Sequence, residues 1–598
     1  MTAVEAIRTV RVTALSFDVL SLAINATKTG KPRNGRTVIP ETPVVEFPNH
    51  MNLKDFATLA VLGAYAVWGV GAAAQSTPET FPGLTIQLED SITMPVLGKL
   101  EGAATPNESA IARVNGIKEE TGGSHRLFLP VVSGPILIYD KKTKAFTTYL
   151  DFNGFGESRG LFKKFFTISG YGNGVNGFTL DPDYAKNGKF YTTHMEDPSI
   201  EAPGGPQNTM FPGLQTSGYT TTAPIATPGP VMHQGVLVEW TDTNPSNNTF
   251  EGTAREIFRV WLNTRSHQLG EVIFNQTARP GDNDWRVLYV DVGDGASGES
   301  KNPAVRPNPQ RLDTMVGKIV RIVPDLNEHT KTSAVSENGR YRIPNDNPFV
   351  KTPGARKEIW AYGLRNPHRL TFAVDPSNAA NNRLVASICG LNTWEMITII
   401  HKGANYGFPL REGNQAVRLD NTTMPLPADD KIPVLVSDTV TAGTTTPIYP
   451  VVIWAHDDRG GDCAGSGYLY NGKTVPALRG KFVYNDITTG RIWYSDYKEM
   501  LATDDGNPQT MAKMHEVKIA WDDPADSEGQ RVYDTMMPIV RSTFVRRGSK
   551  SENMNGRSKV SGTQRADVRL TVDQAGEMYV YSKSDGMIRR IVAATMTK

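Results

Sequence analysis

The feature that most constrains this chain is a hairpin that recurs at a nearly constant interval. Strand-like runs begin at positions 126, 189, 287, 383, 481 and 577, and the last five begin 98, 96, 98 and 96 residues apart. Several of them follow a second apolar run and a turn with Asp, Pro or Gly, as in GFTLDPDYAKNGKFY and VRLTVDQAGEMYV. This pattern predicts antiparallel hairpins. No long stretch has a helical apolar period, so helix is expected to be a minor component.

Six hairpin cores predict an all-β fold, a six-bladed β-propeller with long loop insertions. Radial repetition lets each small sheet bury its faces against its neighbours and leaves only short edges. The interval is long for one blade, and we attribute the excess to insertions of loop composition such as 203–230 and 545–563. Two blades per interval, in a larger propeller, is one alternative. A pair of β-sandwiches is another, but it does not explain the even spacing.

The N-terminal part has a different composition. Residues 51–74 contain one lysine, then an apolar stretch ending in Ala72-Ala73-Ala74, which predicts a signal peptide cleaved after Ala74. Residues 1–50 are then expected to be a disordered extension or a segment upstream of a true start at Met51. An uncleaved anchor helix is the alternative for 51–74. Residues 75–124 are expected to lead into a propeller that occupies 125–598.

Charge and cysteine content limit the classes of binding partner and the cellular compartment that the sequence allows. The formal net charge of +1 gives no support for a nucleic-acid partner, and no stable membrane span is expected after signal cleavage. Export predicts a periplasmic or secreted protein, in an oxidising space where Cys389 and Cys463 can pair. Their separation cannot be read from sequence, so the disulfide remains an open prediction.

Two loops contain residues suited to chemistry. His267, in RSHQLG, is a candidate general base, although a loop histidine is more often a plain hydrogen-bonding residue. Arg365 and Asn366 precede a proline that disfavours helix, which holds a fork of guanidinium donors at a turn. The glycines of GDGASGE at 293–299 permit tight turns near a cation or cofactor, but hairpins use the same residues.

Eight motifs occur together in one order, and their set resembles a known family, the soluble quinoprotein glucose/sorbosone dehydrogenases. They run from about residue 125 to the C-terminus and include GFTLDPDY at 177, SHQLG at 266, LYVDVGDG at 288, MVGKIVRIVPD at 315, RIPNDNPF at 342, EIWAYGLRNP at 358, WEMITIIHKGANYGFP at 394 and ALRGKFVYNDITTGRIW at 477. The resemblance implies a six-bladed propeller that uses pyrroloquinoline quinone (PQQ) and calcium.

The resemblance also implies roles for individual residues. His267 matches the catalytic base that removes the proton of the sugar hydroxyl while hydride leaves for the quinone. Arg365 and Asn366 match the pair that contacts the quinone oxygens, and Arg365 would stabilise the negative charge that develops there. Gly390 and Leu391 match the positions whose backbone carbonyls hold calcium, a hard cation that prefers oxygen ligands.

The chain departs from the family pattern at several cofactor contacts. Cys389 and Gly172 stand where the family has glutamines, and Thr488 stands where it has a lysine, with Arg491 nearby. His456 resembles a family histidine on the same face. The cations offered as partners of the cofactor carboxylates are Arg491, Arg565, Arg569 and Lys583.

The sequence therefore predicts an exported PQQ-dependent oxidoreductase that oxidises an aldose or related sugar hydroxyl. The chain has no CxxCH haem motif, so an external electron acceptor is expected. The alternative, favoured by the altered contacts, is a non-catalytic extracellular propeller that binds carbohydrate or another partner. A calcium-dependent lactonase is a third possibility, but it would need a set of inward carboxylates that the motifs do not provide.

Overall fold

The computed structural model is a β-propeller of six blades, each built on four antiparallel strands, and the strands of blades 5 and 6 join into one nine-stranded sheet. It describes residues 77–97, 111–122, 124–153, 160–168, 172–208, 211–550, 554, 560 and 564–597. The segments predicted as an extension (1–50) and a signal peptide (51–74) lie outside the described residues. None of the helices in the described ranges has the length and apolar character needed to cross a membrane.

The strands of each blade follow one another from the centre outwards. Blade 1 contains β2 (Lys118–Glu119), β3 (Arg126–Pro130), β4 (Pro135–Asp140) and β5 (Phe146–Asp151). Blade 2 contains β6 (Gly177–Leu180), β7 (Lys189–Glu196), β9 (His233–Asp242) and β10 (Gly252–Leu262), with β8 (Leu214–Gln215) at its outer edge. Blade 3 contains β11 (Leu269–Phe274), β12 (Leu288–Val292), β13 (Lys318–Ile322) and β16 (Ile359–Tyr362).

Blade 4 contains β17 (Asn366–Ala373), β18 (Arg383–Cys389), β19 (Trp394–Ile399) and β25 (Val452–Ala455). Blade 5 contains β26 (Ala464–Leu469), β27 (Lys481–Asp486), β28 (Ile492–Asp496) and β29 (His515–Asp522), which also pairs with β30 (Gln530–Tyr533). Blade 6 contains β31 (Val568–Val572), β32 (Met578–Ser582), β33 (Met587–Met596) and β1 (Phe81–Thr93).

Insertions between the blade strands explain the long interval. Their strands are β14 (Ser333–Val335), β15 (Arg342–Pro344), β20 (Arg411–Glu412), β21 (Gln415–Val417), β22 (Thr423–Met424), β23 (Ile432–Leu435) and β24 (Thr441–Thr445). The predicted insertion 203–230 joins β7 to β9, whereas 545–563 lies only partly in the described residues. Helices are short, as expected from the sequence: α1 (Tyr184–Asn187), α2 (Tyr497–Ala502) and α3 (Met537–Arg546).

The six recurring runs all form the second strand of a blade. They are β3, β7, β12, β18, β27 and β32, one in each blade. One interval therefore corresponds to one blade, and the alternatives of two blades per interval and of paired sandwiches are wrong. These strands are buried on both faces because neighbouring blades cover them, which explains their nearly continuous apolar character.

Strand β1 closes the ring, and it places the start of the propeller earlier in the chain than the sequence predicts. It is antiparallel to β33, where Ile86 pairs with Ala594, and parallel to β29 of blade 5, where Ile86 pairs with Ile519. Its side chains alternate, with Leu84, Ile86 and Leu88 buried. The propeller thus begins at 81 rather than at 125, since part of the expected lead-in segment is a blade strand.

The strand order also places certain loops on one face. Adjacent strands in each blade are antiparallel, so the start of the first strand and the end of the second meet at the same edge. His267, Arg365 and Cys463 precede first strands, whereas Asp294 and Gly390 follow second strands. All of these loops therefore open on the same face of the propeller.

Closure by β1 predicts a large cost for losing one of its buried side chains. We expect Ile86→Ala to lower the free energy of unfolding by about 2–4 kcal/mol, because Ile86 packs in the core of blades 5 and 6. Chemical denaturation would measure the change. Gln87→Ala, at the exposed neighbouring position, should change stability by less than about 0.5 kcal/mol. Equal effects of the two variants would contradict the closing role of β1.

Candidate active site

His267 and Asp294 form a hydrogen-bonded pair at the mouth of blade 3. Nδ1 of His267 lies 2.6 Å from Oδ1 of Asp294, which is fully buried. An ionised carboxylate can only accept hydrogen bonds, so Nδ1 carries the proton and Nε2 is left as the basic nitrogen. Asp294 is itself fixed, because its oxygens accept backbone N–H groups of Ala296 at 3.0 Å and Gly298 at 2.9 Å.

The backbone around His267 has an unusual conformation that places its side chain beside Asp294. His267 has a φ of 52°, in the left-handed region that non-glycine residues seldom adopt, and its carbonyl accepts the N–H of Gly295 at 3.1 Å. A Cβ at Gly293 would lie 2.4 Å from the His267 carbonyl oxygen, so only glycine fits there. Strained conformations of this kind cluster at functional sites, where the surrounding structure holds them.

Arg365 lies next to this pair. Its Nη2 donates to Oε1 of Glu299 at 2.9 Å, and the same oxygen lies 3.9 Å from Nδ1 of His267. The carbonyl of Arg365 accepts the backbone N–H of Asp294 at 2.8 Å, which joins the two loops directly. The imidazole of blade 3 and the guanidinium at the start of blade 4 therefore flank one carboxylate.

Sequence reasoning missed Asp294 and Glu299. Both belong to GDGASGE, which was considered only for its glycine turns. An acid at the end of a second strand, beside a histidine at the start of the first strand, could have indicated the pair, because both strand ends lie on one face. Asn366 follows Arg365 in the sequence and begins β17, where it pairs in register with Cys389.

Cys389 and Cys463 form a disulfide that joins blade 4 to the entry of blade 5. Cys389 is buried, its carbonyl accepts Nη1 of Arg365 at 3.2 Å, and its sulfur lies 3.6 Å from Nδ1 of His368. The sequence left the disulfide open, and the structure confirms it. The bridge ties Cys389 to the loop that contains Cys463.

The loop after Cys389 wraps around two buried carboxylates. The N–H groups of Leu391, Asn392, Thr393 and Trp394 all point at Oε1 of Glu412, at distances of 2.7–3.0 Å. The N–H of Gly390 points at Glu395, which also binds Nε2 of His456 at 2.5 Å. Burial raises the pKa of Glu395, and His456 opposes that shift. A Cβ at Gly390 would collide with the carbonyl of Trp394, so the loop requires glycine.

Buried cations gather at the start of blade 6. Lys583 is 3% exposed and forms no ion pair within the described part of the chain. Burial lowers its pKa well below the usual value, and the charge of Arg569 lowers it further. Arg569 is also buried, binds Asp567 at 3.0 Å and leaves its Nε without a partner among the described residues. The carbonyl of Arg565 accepts the Ser584 hydroxyl, so the loops of Arg565 and Lys583 adjoin each other, and Arg569 lies beside them in β31.

The same cluster reaches His368 of blade 4. Burial and the positive charge of Arg569 lower the pKa of His368 well below its usual range, and Lys583 contributes to the shift. The imidazole is therefore neutral at neutral pH. Asp567 shows the complementary effect: burial would raise its pKa, but Lys583 and Arg569 hold it below the usual value. The region carries more positive than negative charge, which suits an anion.

Arg491, by contrast, is engaged elsewhere. Its guanidinium binds Glu516 at 2.9 Å and the carbonyl of Asp458 at 3.3 Å, so the structure gives no support to its predicted role as a carboxylate partner. Thr488 is buried and donates its hydroxyl to Asp486. The carbonyl of Gly172 accepts Nε2 of Gln268 at 3.0 Å. These two positions offer neither charge nor a side-chain amide.

The sequence profile of the family described as glucose / sorbosone dehydrogenase matches residues 166–523. The chain belongs to this family. Similar proteins include the HIPL1 protein of Arabidopsis thaliana, 27% identical over 331 residues, covering 54% of this chain and 43% of that protein. Aldose sugar dehydrogenase YliI of Escherichia coli (strain K12) is 32% identical over 158 residues, 26% of this chain and 33% of that protein.

Another relative is quinoprotein glucose dehydrogenase B of Acinetobacter calcoaceticus, 23% identical over 338 residues, which cover 54% of this chain and 56% of that protein. The match to HIPL1 spans less than half the length of that protein. The solved structure of the apo soluble aldose sugar dehydrogenase of Escherichia coli is 16% identical, covers 86% of this family member and 100% of that chain, and superposes with a TM-score of 0.46.

The disulfide predicts two measurable properties. A thiol assay on unreduced, denatured protein should find no reactive cysteine, and the same assay after reduction should find two. The double variant Cys389→Ser/Cys463→Ser should lower the free energy of unfolding by about 2–4 kcal/mol, because the bridge closes a loop between residues 74 positions apart. Two free thiols in the unreduced protein would contradict the bridge.

Proposed function

We propose that this member of the family is an exported PQQ-dependent dehydrogenase that oxidises a hydroxyl of an aldose or related sugar. The observation that carries the proposal is the His267–Asp294 pair beside Arg365, a base and a cation held together by neighbouring blades. A disulfide agrees with export, since such bonds persist in oxidising compartments. An external acceptor would reoxidise the enzyme.

His267 is the proposed base. With Nδ1–H held by Asp294, Nε2 accepts the proton of the sugar hydroxyl as the C–H bond of the same carbon breaks. The buried carboxylate then stabilises the imidazolium that forms, and the fixed ring orientation avoids a reorganisation cost during the step. Glu299 adds a second negative charge within 3.9 Å of Nδ1. When bound, PQQ supplies a quinone that accepts the hydride.

The residues present fit a polycarboxylate quinone on the cationic side of the site. Lys583 and Arg569 are buried, and their positive charges are only partly compensated by Asp567. Two or more carboxylates would compensate them, which is why we assign Arg565, Arg569 and Lys583 to cofactor binding. Arg365 and Asn366 would orient the quinone end, and Arg365 would stabilise charge that develops on its oxygen.

A calcium ion fits the backbone after Cys389. In a trans peptide the C=O points opposite to the following N–H. The N–H groups of Leu391 and Asn392 point at Glu412, so the carbonyls of Gly390 and Leu391 point away from that carboxylate. Two carbonyl oxygens turned to the same side are suitable ligands for calcium. We therefore propose that Gly390 and Leu391 hold the ion.

A non-catalytic propeller that binds carbohydrate or another extracellular partner is the second candidate. It is favoured by the loss of side-chain amides at Gly172 and Cys389 and of a lysine at Thr488. Adding PQQ and calcium to the purified protein and following dye reduction with a panel of aldoses separates the two. Sugar-dependent reduction supports the dehydrogenase. No reduction together with no spectral change on adding PQQ supports the binding module.

The His267–Asp294 pair predicts a strong effect of a nearly isosteric change. Asp294→Asn should lower kcat by about 100-fold or more, because the amide no longer fixes the protonated Nδ1 or stabilises imidazolium. Initial rates with PQQ, calcium and the best aldose would measure it. Asp429→Asn, whose side chain is 77% exposed, is the matched control. Wild-type kcat in Asp294→Asn would contradict the assignment of His267 as base.

Lys583 provides a test of the cofactor site that does not require turnover. Lys583→Met should stabilise the apoprotein by about 1–3 kcal/mol, since it removes a buried charge without an ion pair. It should also weaken PQQ binding about tenfold, through loss of a charge-assisted hydrogen bond. Chemical denaturation and absorbance titration measure the two effects. Lys498→Met, at an exposed position of α2, should change neither. Unchanged PQQ affinity in Lys583→Met would contradict the assignment of Lys583 to the cofactor site.

A further inference from the structure

A small cavity lies against Arg365. It is lined by Gly363, Arg365, Gly390, Thr398, Tyr406 and Glu412, among others, and has a volume of about 20 Å³. That space is enough for one water molecule. The cavity is thus placed between the arginine proposed to contact the quinone and the loop proposed to hold calcium.

Three buried polar atoms of the lining residues have no hydrogen-bond partner in the described part of the chain. They are Nε of Arg365, Oγ1 of Thr398 and Oε2 of Glu412. Thr398 is 1% exposed and Glu412 is 2% exposed, so neither side chain forms hydrogen bonds with bulk solvent. A buried polar group without a partner is destabilising, because the hydrogen bonds that it loses with water are not replaced. Three such groups around one cavity indicate a bound polar molecule.

The chemistry of the three atoms selects the molecule. Arg365 Nε–H is a donor, the Glu412 carboxylate oxygen is an acceptor, and the Thr398 hydroxyl can act as either. A water molecule accepts from the arginine and donates to the carboxylate, and buried waters typically make about three hydrogen bonds. A cation would face the N–H of a guanidinium at close range. Water therefore fits the set better than a metal ion.

Glu412 belongs to an insertion that also reaches the other side of Arg365. Its Oε1 accepts the four N–H groups of residues 391–394, so Oε2 is the oxygen left for the cavity. The same insertion carries Asn421, whose Nδ2 donates to the carbonyl of Glu299 at 3.2 Å and whose Oδ1 accepts Arg306 at 2.7 Å. Glu299 is the ion-pair partner of Arg365.

We propose that Glu412 is a positioning residue, which holds Arg365 through a buried water shared with Thr398. The insertion 411–424 then fixes the guanidinium from two directions: Glu412 acts on Nε through the water, and Asn421 acts on Nη2 through Glu299. The loop of residues 391–394 depends on the same carboxylate, so Arg365 and the proposed calcium loop keep one relative position. The functional part of this inference rests on the proposed dehydrogenase; the water site does not.

High-resolution crystallography tests the water directly. We expect one water oxygen at roughly 2.7–3.2 Å from Nε of Arg365, Oγ1 of Thr398 and Oε2 of Glu412. An empty cavity in well-ordered density, or an ion with oxygen ligands at roughly 2.0–2.6 Å, would overturn the proposal. Thr398→Val, which keeps the shape of the side chain but removes the hydroxyl, should lose the water or leave it disordered. Thr398→Ser should retain it.

Kinetics and binding test the positioning role. In enzyme reconstituted with PQQ and calcium, Thr398→Val should lower kcat about 3- to 10-fold, leave KM for the sugar within about twofold, and weaken PQQ binding by a factor of a few. Thr398→Ser should restore kcat, which a purely structural effect of altering β19 would not require. Glu412→Gln should give the larger loss, because an amide has a single acceptor oxygen and cannot accept hydrogen bonds from both the loop N–H groups and the water.

The results distinguish the two levels of the inference. If the wild-type protein oxidises no sugar, the crystal structures and the PQQ titration still decide whether the water exists and positions Arg365. If the water is present but Thr398→Val has wild-type kcat and PQQ affinity, the positioning role is wrong. If the wild type is active and the cavity is empty, the inference fails while the proposed function stands.

Discussion

The pairing of β1 with β33 and β29 is the constraint on which the rest of the structure depends. Residues 81–93 supply the outer strand of blade 6, whose other three strands come from the C-terminal end of the chain. Without that strand, the outer edge of β33 would be exposed, and exposed edges favour pairing with other chains. The propeller is therefore specified by contacts between residues roughly 500 positions apart, and its six-fold packing is complete only when both ends of the sequence are in place.

Ring closure brings the ends of many strands to one face, and the candidate site consists of these ends. Blade 3 contributes a basic nitrogen on His267 with its buried carboxylate, blade 4 contributes Arg365, and blade 6 contributes the cations around Lys583. Two links join neighbouring blades directly: a backbone hydrogen bond between Asp294 and Arg365 joins blade 3 to blade 4, and the disulfide between Cys389 and Cys463 joins blade 4 to the entry of blade 5. The groups of the site come from several blades, and no single hairpin contains them.

Negatively and positively charged side chains occupy different parts of this face. Carboxylates gather around His267, where a proton would be accepted, and cations gather around Lys583, where an anion would be bound. Between these two regions, the carbonyl of Cys389 accepts a hydrogen bond from Arg365, and its sulfur is bridged to Cys463.

The sequence by itself determined the β-class, the number of blades and the family, because strand alternation, turn residues and ordered motifs are local properties. The ordered motifs also singled out His267, Arg365 and Asn366 as candidate residues through the family resemblance. The sequence did not identify Asp294, Glu299 or Glu412, whose roles come from hydrogen bonds to residues distant in sequence. Three further features come only from the tertiary structure. They are the ion pair between Arg491 and Glu516, the disulfide, and the cavity beside Arg365. Such contacts depend on how neighbouring blades pack, and local residue patterns contain no information about the distance between two loops.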